Sequence, residues 1–252
     1  LRVIARIKSS TPLAVKATFL GAHAVPKLYK GRQDEYVDLV CREMIPAVAM
    51  QSIAEFVDVF CDRGFFTLEQ TRRIVECGAK YGLKAKIHAN ELDFSGGVQL
   101  GVELGAMSVD HLESSGTEEI ECLRSSRTVA TLLPGAALFL GMNYPPARAM
   151  VENGVTVALA SDYNPGSSPS GNMRFVASLA TIASVPRALV LECALKCKSI
   201  TKSIYGASNS IRFLTSWRVA LSSSTSTTRP YLLVKISAIR FRSQIFSAPS
   251  SK

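Results

Sequence analysis

The stretch Lys86-Ile87-His88-Ala89-Asn90-Glu91 places a histidine at the end of a short alternating strand and a carboxylate three residues later. Two further stretches, residues 108–111 and 158–162, also end an apolar strand with a polar side chain, His111 and Asp162. A glycine that can end a helix precedes each of the three strands. The repetition predicts that these strand ends form one rim of a parallel sheet.

Periodicity along the chain predicts alternating strands and helices. Capping-box patterns at Thr67–Gln70 and Ser115–Glu118 predict two helix starts, and Pro46 interrupts a helical pattern over residues 34–54. Short connections between such elements favour a parallel sheet with helices outside it, either a closed barrel or an open doubly wound sheet. Six strands are predicted, at residues 18–26, 56–62, 84–88, 107–111, 128–133 and 156–161.

Charge separates the body of the chain from its carboxyl end. Residues 1–192 carry 19 Lys and Arg against 20 Asp and Glu, whereas residues 193–252 carry ten basic residues and no acid. The net charge of +9 therefore comes from the tail.

The six cysteines show no zinc-finger spacing and favour free thiols in a reducing cytosol. The longest apolar run, residues 128–142, is interrupted by proline and glycine and is shorter than the ~20 residues of a membrane helix. We therefore expect a cytoplasmic protein with no membrane contact.

All three histidines of the chain, together with Asp162, are predicted at carboxyl ends of strands, where barrel enzymes carry their chemistry. Imidazole and carboxylate groups bind Zn²⁺ or Fe²⁺, which lowers the pKa of a bound water to about 7. Glu91 can then take the proton of the water, and His111 can hydrogen-bond the attacking hydroxide or polarise a carbonyl.

Each of these residues taken alone has a simpler interpretation. A single histidine at a strand end is more often structural, Glu91 fits a solvated loop acid, and Asp162 fits a cap or turn residue. Asn164-Pro165-Gly166 is by itself a turn. The shared rim position of all the histidines favours the functional interpretation.

Seven segments of the chain resemble imidazolonepropionase, a metal-dependent member of the amidohydrolase superfamily. They run in the family's order over residues 18–181: TFLGAHAVP (18–26), VDVFC (57–61), TRRI (71–74), KIHANEL (86–92), DHLE (110–113), TLLPG (131–135) and LASDYNPGS (159–167). The resemblance implies an α/β fold, a (β/α)8 TIM-type barrel of the amidohydrolase type, here incomplete with about six strands. It also implies hydrolysis of 4-imidazolone-5-propanoate to N-formimidoyl-L-glutamate in histidine degradation.

The same resemblance implies roles for individual residues and partners. It makes His88 and Asp162 ligands of one divalent metal, Zn or Fe, with Glu91 as the general base and His111 as its helper. It places the substrate against His23, Glu91, Asn164, Gly166 and Ser167. The implied partner is a small molecule and not a nucleic acid or a membrane, and the family tends to be dimeric.

Two departures from the family pattern shape the expectations for this chain. The His-x-His pair that completes the family's metal shell is absent and is expected upstream of Leu1, so we expect weak metal binding and slow or no turnover. The resemblance fades after about residue 182, which predicts a partial hydrolase barrel over residues 1–186 and a basic, Ser/Thr-rich tail over residues 187–252. That tail is either a nucleic-acid-binding extension or, as we favour, a segment read out of frame. The alternatives for the chain are another cyclic-amide hydrolase or deaminase of the superfamily, or a non-catalytic fragment.

Overall fold

The computed structural model describes residues 1–11, 14–183 and 239–240 as an α/β fold. The strands are β1 Ala17–Ala22, β2 Ala54–Cys61, β3 Lys84–Ala89, β4 Ser108–His111, β5 Val129–Leu132, β6 Val157–Leu159 and β7 Ile239–Arg240. The helices are α1 Arg2–Ser10, α2 Gln33–Leu39, α3 Ile45–Met50, α4 Leu68–Lys80, α5 Gly97–Glu103, α6 Thr117–Arg124, α7 Pro134–Leu140, α8 Ala147–Glu152 and α9 Met173–Ile182.

Strands β1 to β6 are parallel and lie side by side in the order of the sequence. A doubly wound sheet reverses its strand order part-way across, whereas a barrel adds each new strand on the same side. The unbroken order over six strands therefore identifies an arc of a barrel. The six predicted strands are confirmed, with ends that differ from the predicted ones by up to four residues.

The seventh strand lies beyond the parallel set. The backbone of residues 239–240 pairs antiparallel with Ala158 and Leu159 of β6, so two residues of the predicted tail join the sheet. The rest of the tail, and with it the predicted domain boundary at residue 186, lies outside the described residues. At the opposite end of the described sheet, β1 pairs with β2 alone. β1 is therefore an open edge of the described sheet, while β6 is partly covered.

Two helix starts were predicted from capping boxes, and only one has the predicted partners. At α4 the Gln70 amide N–H donates to the Thr67 hydroxyl, and the Gln70 side chain accepts the Thr67 N–H, both at 3.2 Å. At α6 the prediction of Ser115 with Glu118 is wrong by one residue. The Glu119 carboxylate accepts the Gly116 N–H at 2.8 Å, because the helix begins at Thr117 and its third residue is Glu119.

Pro46 does not break the helical segment as expected, because a π-helical turn over Val40–Met44 precedes it. Proline cannot donate the backbone hydrogen bond of a regular α-helix. The wider π-helical turn accommodates this missing hydrogen bond at the start of α3. A second difference is α7, which was not predicted. It begins at Pro134, a residue well suited to a first helical position, soon after the end of β5.

Helices α4 and α5 approach the sheet closely through glycines. A β-carbon placed on Gly78 would lie 2.7 Å from Val57 Cγ1, and one on Gly101 would lie 2.5 Å from Val109 Cγ1. These contacts bring the helix backbones down onto buried valines of β2 and β4. Within the described residues, no helix combines the length and apolar character needed to cross a membrane.

Candidate active site

The polar side chains of the rim come from successive strands. His23 directly follows β1, His88 lies at the penultimate position of β3, and His111 is the last residue of β4. Asp162 lies three residues beyond β6. Parallel strands bring their carboxyl ends to one edge, and the His88 and His111 rings are accordingly 5.0 Å apart between centroids.

Asp58, in the middle of β2, lies between two of the histidines. Its Oδ1 is 2.9 Å from His88 Nδ1 and 3.6 Å from His23 Nε2. The His23 and His88 rings meet edge to face with centroids 4.3 Å apart. Since Asp58 pairs in register with Lys86, its side chain and that of His88 lie on the same face of neighbouring strands. Each of the three residues offers one donor atom, and the three atoms lie within 4.8 Å of one another.

His111 lies among three carboxylates on the other side of the rim. Its Nε2 is 3.3 Å from Glu91 Oε2 and 3.9 Å from Asp162 Oδ2, and its Nδ1 is 3.6 Å from Glu113 Oε2. The His111 side chain is 2% exposed, and the side chains of Glu91 and Glu113 are also buried. The 3.6 Å separation exceeds hydrogen-bond length, so the attraction of Glu113 for His111 is ionic.

Burial and the neighbouring charges shift the pKa values of His111 and Glu91 in opposite directions. Burial lowers the pKa of His111, but the adjacent Glu113 and the charges of Glu91 and Asp162 outweigh it and raise that pKa to about 9. Burial is the main cause that raises the pKa of Glu91, and His111 works against it. A raised pKa makes the carboxylate a stronger base, which suits it to accept a proton as a general base does.

Hydrogen bonds of both backbone and side chains hold the loop that carries Glu91. The Asn90 side-chain amide donates to the Ser114 carbonyl at 2.8 Å, and the Ser114 N–H donates to the Asn90 carbonyl at the same distance. The Leu92 N–H donates to Asp62 Oδ2 at 2.9 Å. Glu91 is therefore held between two tethered residues, next to the end of β4.

Several rim residues have a left-handed backbone that is uncommon outside glycine. The φ angles are +87° at His111, +54° at Asn90 and +48° at Asp162. Such conformations cost on the order of 1–3 kcal/mol each and cluster at functional sites. At His111 the departure from extended geometry ends the alternation of β4, and its ring lies 5.0 Å from that of His88 between centroids.

The loop after β6 is closed by the Asn164 side chain. Its Oδ1 accepts the backbone N–H groups of Gly166 at 2.9 Å and Ser167 at 2.7 Å, and its Nδ2 donates to the Asp162 carbonyl at 2.8 Å. The Ser168 hydroxyl donates to the Ser161 carbonyl at 2.6 Å. The geometry thus gives Asn164 a part in holding the loop that presents Asp162.

Reasoning from the sequence singled out neither Asp58 nor Glu113 as a site residue, although both lie in segments that carry the family resemblance. Asp58 is a charged residue in the middle of an otherwise apolar strand, and Glu113 follows His111 by two residues. A charge inside a buried strand is rare unless it is paired, which was the available signal for Asp58.

The donor atoms around Asp58 fit a divalent transition metal. Two imidazoles and a carboxylate bind Zn²⁺ or Fe²⁺ and leave positions for water. His23 Nε2 supports the fit, because it is buried and has no hydrogen-bond partner among the described residues. The predicted ligand Asp162 lies beside His111, outside this group of three.

Comparison with known proteins finds relatives among the imidazolonepropionases. The imidazolonepropionase of Christiangramia forsetii is 49% identical over 182 residues, which are 72% of this chain and 44% of the relative. Over that stretch the chain is a homologue of the imidazolonepropionases. The imidazolonepropionase of Thermoanaerobacter pseudethanolicus is 46% identical over the same shares of the two chains. The chain thus spans less than half the length of these curated relatives, and no family model matches it.

Solved structures support the barrel assignment. An adenosine deaminase from Xanthomonas campestris with bound zinc has a TM-score of 0.53 at 16% identity, over 71% of this chain and 43% of that one. A guanine deaminase from C. acetobutylicum has a TM-score of 0.54 at 14% identity, over 79% and 48%. At these identities the likeness concerns the fold alone. This likeness agrees with the partial α/β barrel that the order of β1 to β6 indicates.

Proposed function

We propose that this chain carries the catalytic rim of a metal-dependent hydrolase that opens the ring of 4-imidazolone-5-propanoate to N-formimidoyl-L-glutamate. The observation that supports this most is the buried pair of Glu91 and His111, 3.3 Å apart, beside the donor group around His88. The identity to imidazolonepropionases over 182 residues supports the choice of substrate.

The proposed ring opening needs two contributions from the chain, proton transfer and stabilisation of negative charge. A divalent metal held by His88, with Asp162 on the facing loop, would supply an acidified water. Glu91 would take a proton from the attacking water as the water oxygen bonds to the ring carbon. The ring C–N bond then breaks, and Glu91 returns the proton to the leaving nitrogen. His111 donates a hydrogen bond from Nε2 to the oxygen on which negative charge develops.

The substrate pocket is proposed to include Glu91 and the loop of Asn164, Gly166 and Ser167. Because Asn164 already binds the backbone of this loop, its contribution is the shape of the pocket. The nitrogen and oxygen donors suit both Zn²⁺ and Fe²⁺. The proposal includes a cytoplasmic location, supported by free thiols at all four cysteines of the described region. The assembly proposed is a homodimer, as the family resemblance implies.

A product assay tests the proposed reaction. The purified chain, supplied with Zn²⁺ or Fe²⁺, is incubated with 4-imidazolone-5-propanoate, and N-formimidoyl-L-glutamate is measured by mass spectrometry. We expect slow turnover that Glu91→Gln abolishes and that Glu118→Gln, an exposed acid on α6, leaves unchanged. Equal rates in the wild type and Glu91→Gln would contradict the proposal. Release of ammonia from a purine or pyrimidine substrate, without ring opening of the imidazolone, would favour a deaminase instead.

A further inference from the structure

Two cysteines from different elements meet in the helix layer outside the sheet. Cys41 lies in the π-helical turn Val40–Met44 and Cys77 lies in α4, and these two elements pack against each other. The Cys77 thiol donates to the Cys41 carbonyl, with Sγ and the oxygen 3.2 Å apart, and the two thiols interact with each other as well. Both residues are half-buried, and both thiols are free. The pair is therefore held together and remains within reach of small molecules in the solvent.

The π-helical turn explains why the Cys77 thiol lies at this position. The Ile45 N–H, which in a regular α-helix would donate to the Cys41 carbonyl, donates to the Val40 carbonyl instead. The next residue, Pro46, has no N–H to donate. The turn itself thus supplies no donor to the Cys41 carbonyl, and the Cys77 thiol takes that place. This bond fixes the Cys77 sulfur beside residue 41.

The other two cysteines of the described region have different surroundings. Cys61 is buried at the end of β2, and Cys122 lies on α6. Within that region, two thiols interact with each other only at Cys41 and Cys77. In a reducing compartment, the disulfides that do form are usually transient and redox-sensing. A pair of half-buried thiols held side by side has the arrangement that such a bond requires.

We infer that Cys41 and Cys77 form a reversible oxidation site, at which a small-molecule disulfide converts the two thiols into one intrachain disulfide. The first thiolate attacks a sulfur of the small disulfide, so that a mixed disulfide forms and one small thiol leaves. The second thiolate then attacks the protein sulfur of the mixed disulfide and releases the second small thiol. Two protein thiols and one small disulfide thus become one protein disulfide and two small thiols, which carry the two protons.

Cys77 should make the first attack. Burial, together with the nearby Cys77 thiol, raises the pKa of Cys41 to about 11, so Cys41 holds little thiolate near neutral pH. Once Cys77 is part of the mixed disulfide, it can no longer carry the negative charge that opposes ionisation of Cys41. Cys41 then ionises more readily and closes the bridge, and an excess of small thiol reverses the reaction.

The competing account gives the Cys77 thiol only the task of satisfying the Cys41 carbonyl. Both accounts use the same contact, but only the oxidation site predicts a covalent product. The bridge would close a loop of the chain that includes β2, and closing such a loop typically stabilises a protein against unfolding. Neither measurement needs metal or substrate, so the outcome is independent of the proposed hydrolysis.

Peptide mapping of the full chain tests the site. The reduced chain is incubated with mixtures of oxidised and reduced glutathione, the remaining thiols are alkylated, and a tryptic digest is analysed by mass spectrometry. We expect peptide 33–42, which contains Cys41, to be linked to peptide 74–80, which contains Cys77. The oxidised chain should also have a Tm higher by roughly 5–15 °C, and dithiothreitol should reverse both changes.

Single variants separate the roles of the two thiols. In Cys41→Ser, Cys77 should stop at the mixed disulfide and carry one glutathione, whereas in Cys77→Ser, Cys41 should remain mostly unmodified. Cys122→Ser, which alters a half-buried thiol on α6, is the control and should keep the bridge. The wild-type map decides the matter by itself if a variant fails to fold. The inference is overturned if peptides 33–42 and 74–80 stay unlinked at every glutathione ratio, or if Cys77 bridges to Cys122 as readily as to Cys41.

Discussion

The Glu113 side chain is 3% exposed, and neither of its carboxylate oxygens has a hydrogen-bond partner among the described residues. Burial of such a group is costly unless an opposite charge lies close by. His111 supplies that charge, with Nδ1 at 3.6 Å. Glu113 thereby leaves Nε2 of His111 directed at Glu91 and Asp162, which makes it a positioning residue for the proposed chemistry.

Glu113→Gln is therefore expected to lower the pKa of His111 from about 9 toward the ordinary value of 6.5 in the metal-free chain. A histidine whose pKa is raised by folding contributes stability that is complete below pH 6.5 and is lost as the pH rises through about 9. The variant should thus lose less stability between these two pH values than the wild type does. NMR titration of the His111 ring gives the pKa, and urea unfolding at each pH gives the stability.

Glu118→Gln, an exposed substitution in the first turn of the helix that follows the Glu113 loop, is the control and should leave the His111 pKa in place. An unchanged pKa in Glu113→Gln would show that Glu91 and Asp162 alone hold the proton on His111.

At the scale of single elements, the contact of α5 with β4 sets the distance between the helix layer and the sheet. An added methyl group at Gly101 would lie 2.5 Å from Val109 Cγ1, and Val109 is fully buried. Alanine favours a helix over glycine by about 1 kcal/mol. Overpacking costs about 1–3 kcal/mol, so we expect Gly101→Ala to be destabilising on balance.

A double-mutant cycle with Val109→Ala measures this contact. Removing the Val109 methyl groups makes room for the methyl group that Gly101→Ala adds, so the double variant should be more stable than the sum of the single effects by about 0.5–3 kcal/mol. Urea unfolding of the four proteins gives the coupling. Additive effects would mean that α5 moves away from the sheet and that the glycine is not needed for the approach.

The elements were largely predictable from the sequence because they depend on local patterns. Apolar alternation located the six strands, and the Thr67–Gln70 box located the start of α4. Helix α7 was not predicted, because a proline such as Pro134 is common both in loops and at the first position of a helix. The contacts between side chains of neighbouring strands were not predictable in this way, because they depend on strand register and ring orientation. The contact between Asp58 and His88 follows from the register of β2 and β3, which the sequence of β2 alone does not specify.

At the scale of the whole molecule, the described sheet ends at β1, which pairs on one side only. Unpaired strand edges recruit other strands, and a lysine on such an edge opposes this. We expect the chain to self-associate as its concentration rises, and Leu20→Lys in β1 to reduce the association. Sedimentation velocity measures it. The control is Leu92→Lys, which adds the same charge at an exposed loop position and should have little effect on self-association. If Leu92→Lys reduced the association as much as Leu20→Lys does, the cause would be net charge and not the edge of β1.

The divalent ion proposed at His88 and Asp162 would join β3 to the loop after β6, so it should stabilise the described fold. A ligand that binds only the folded chain adds about 2.7 kcal/mol at a concentration of 100 times its Kd. For a protein of this size that corresponds to a rise in Tm of roughly 5–10 °C. Differential scanning calorimetry with Zn²⁺ should show this rise, and with Mg²⁺ it should not, because Mg²⁺ prefers oxygen donors. Asp162→Asn should lose most of the zinc-dependent rise, whereas the exposed control Glu118→Gln should keep it. A full rise in Asp162→Asn would place the stabilising ion elsewhere.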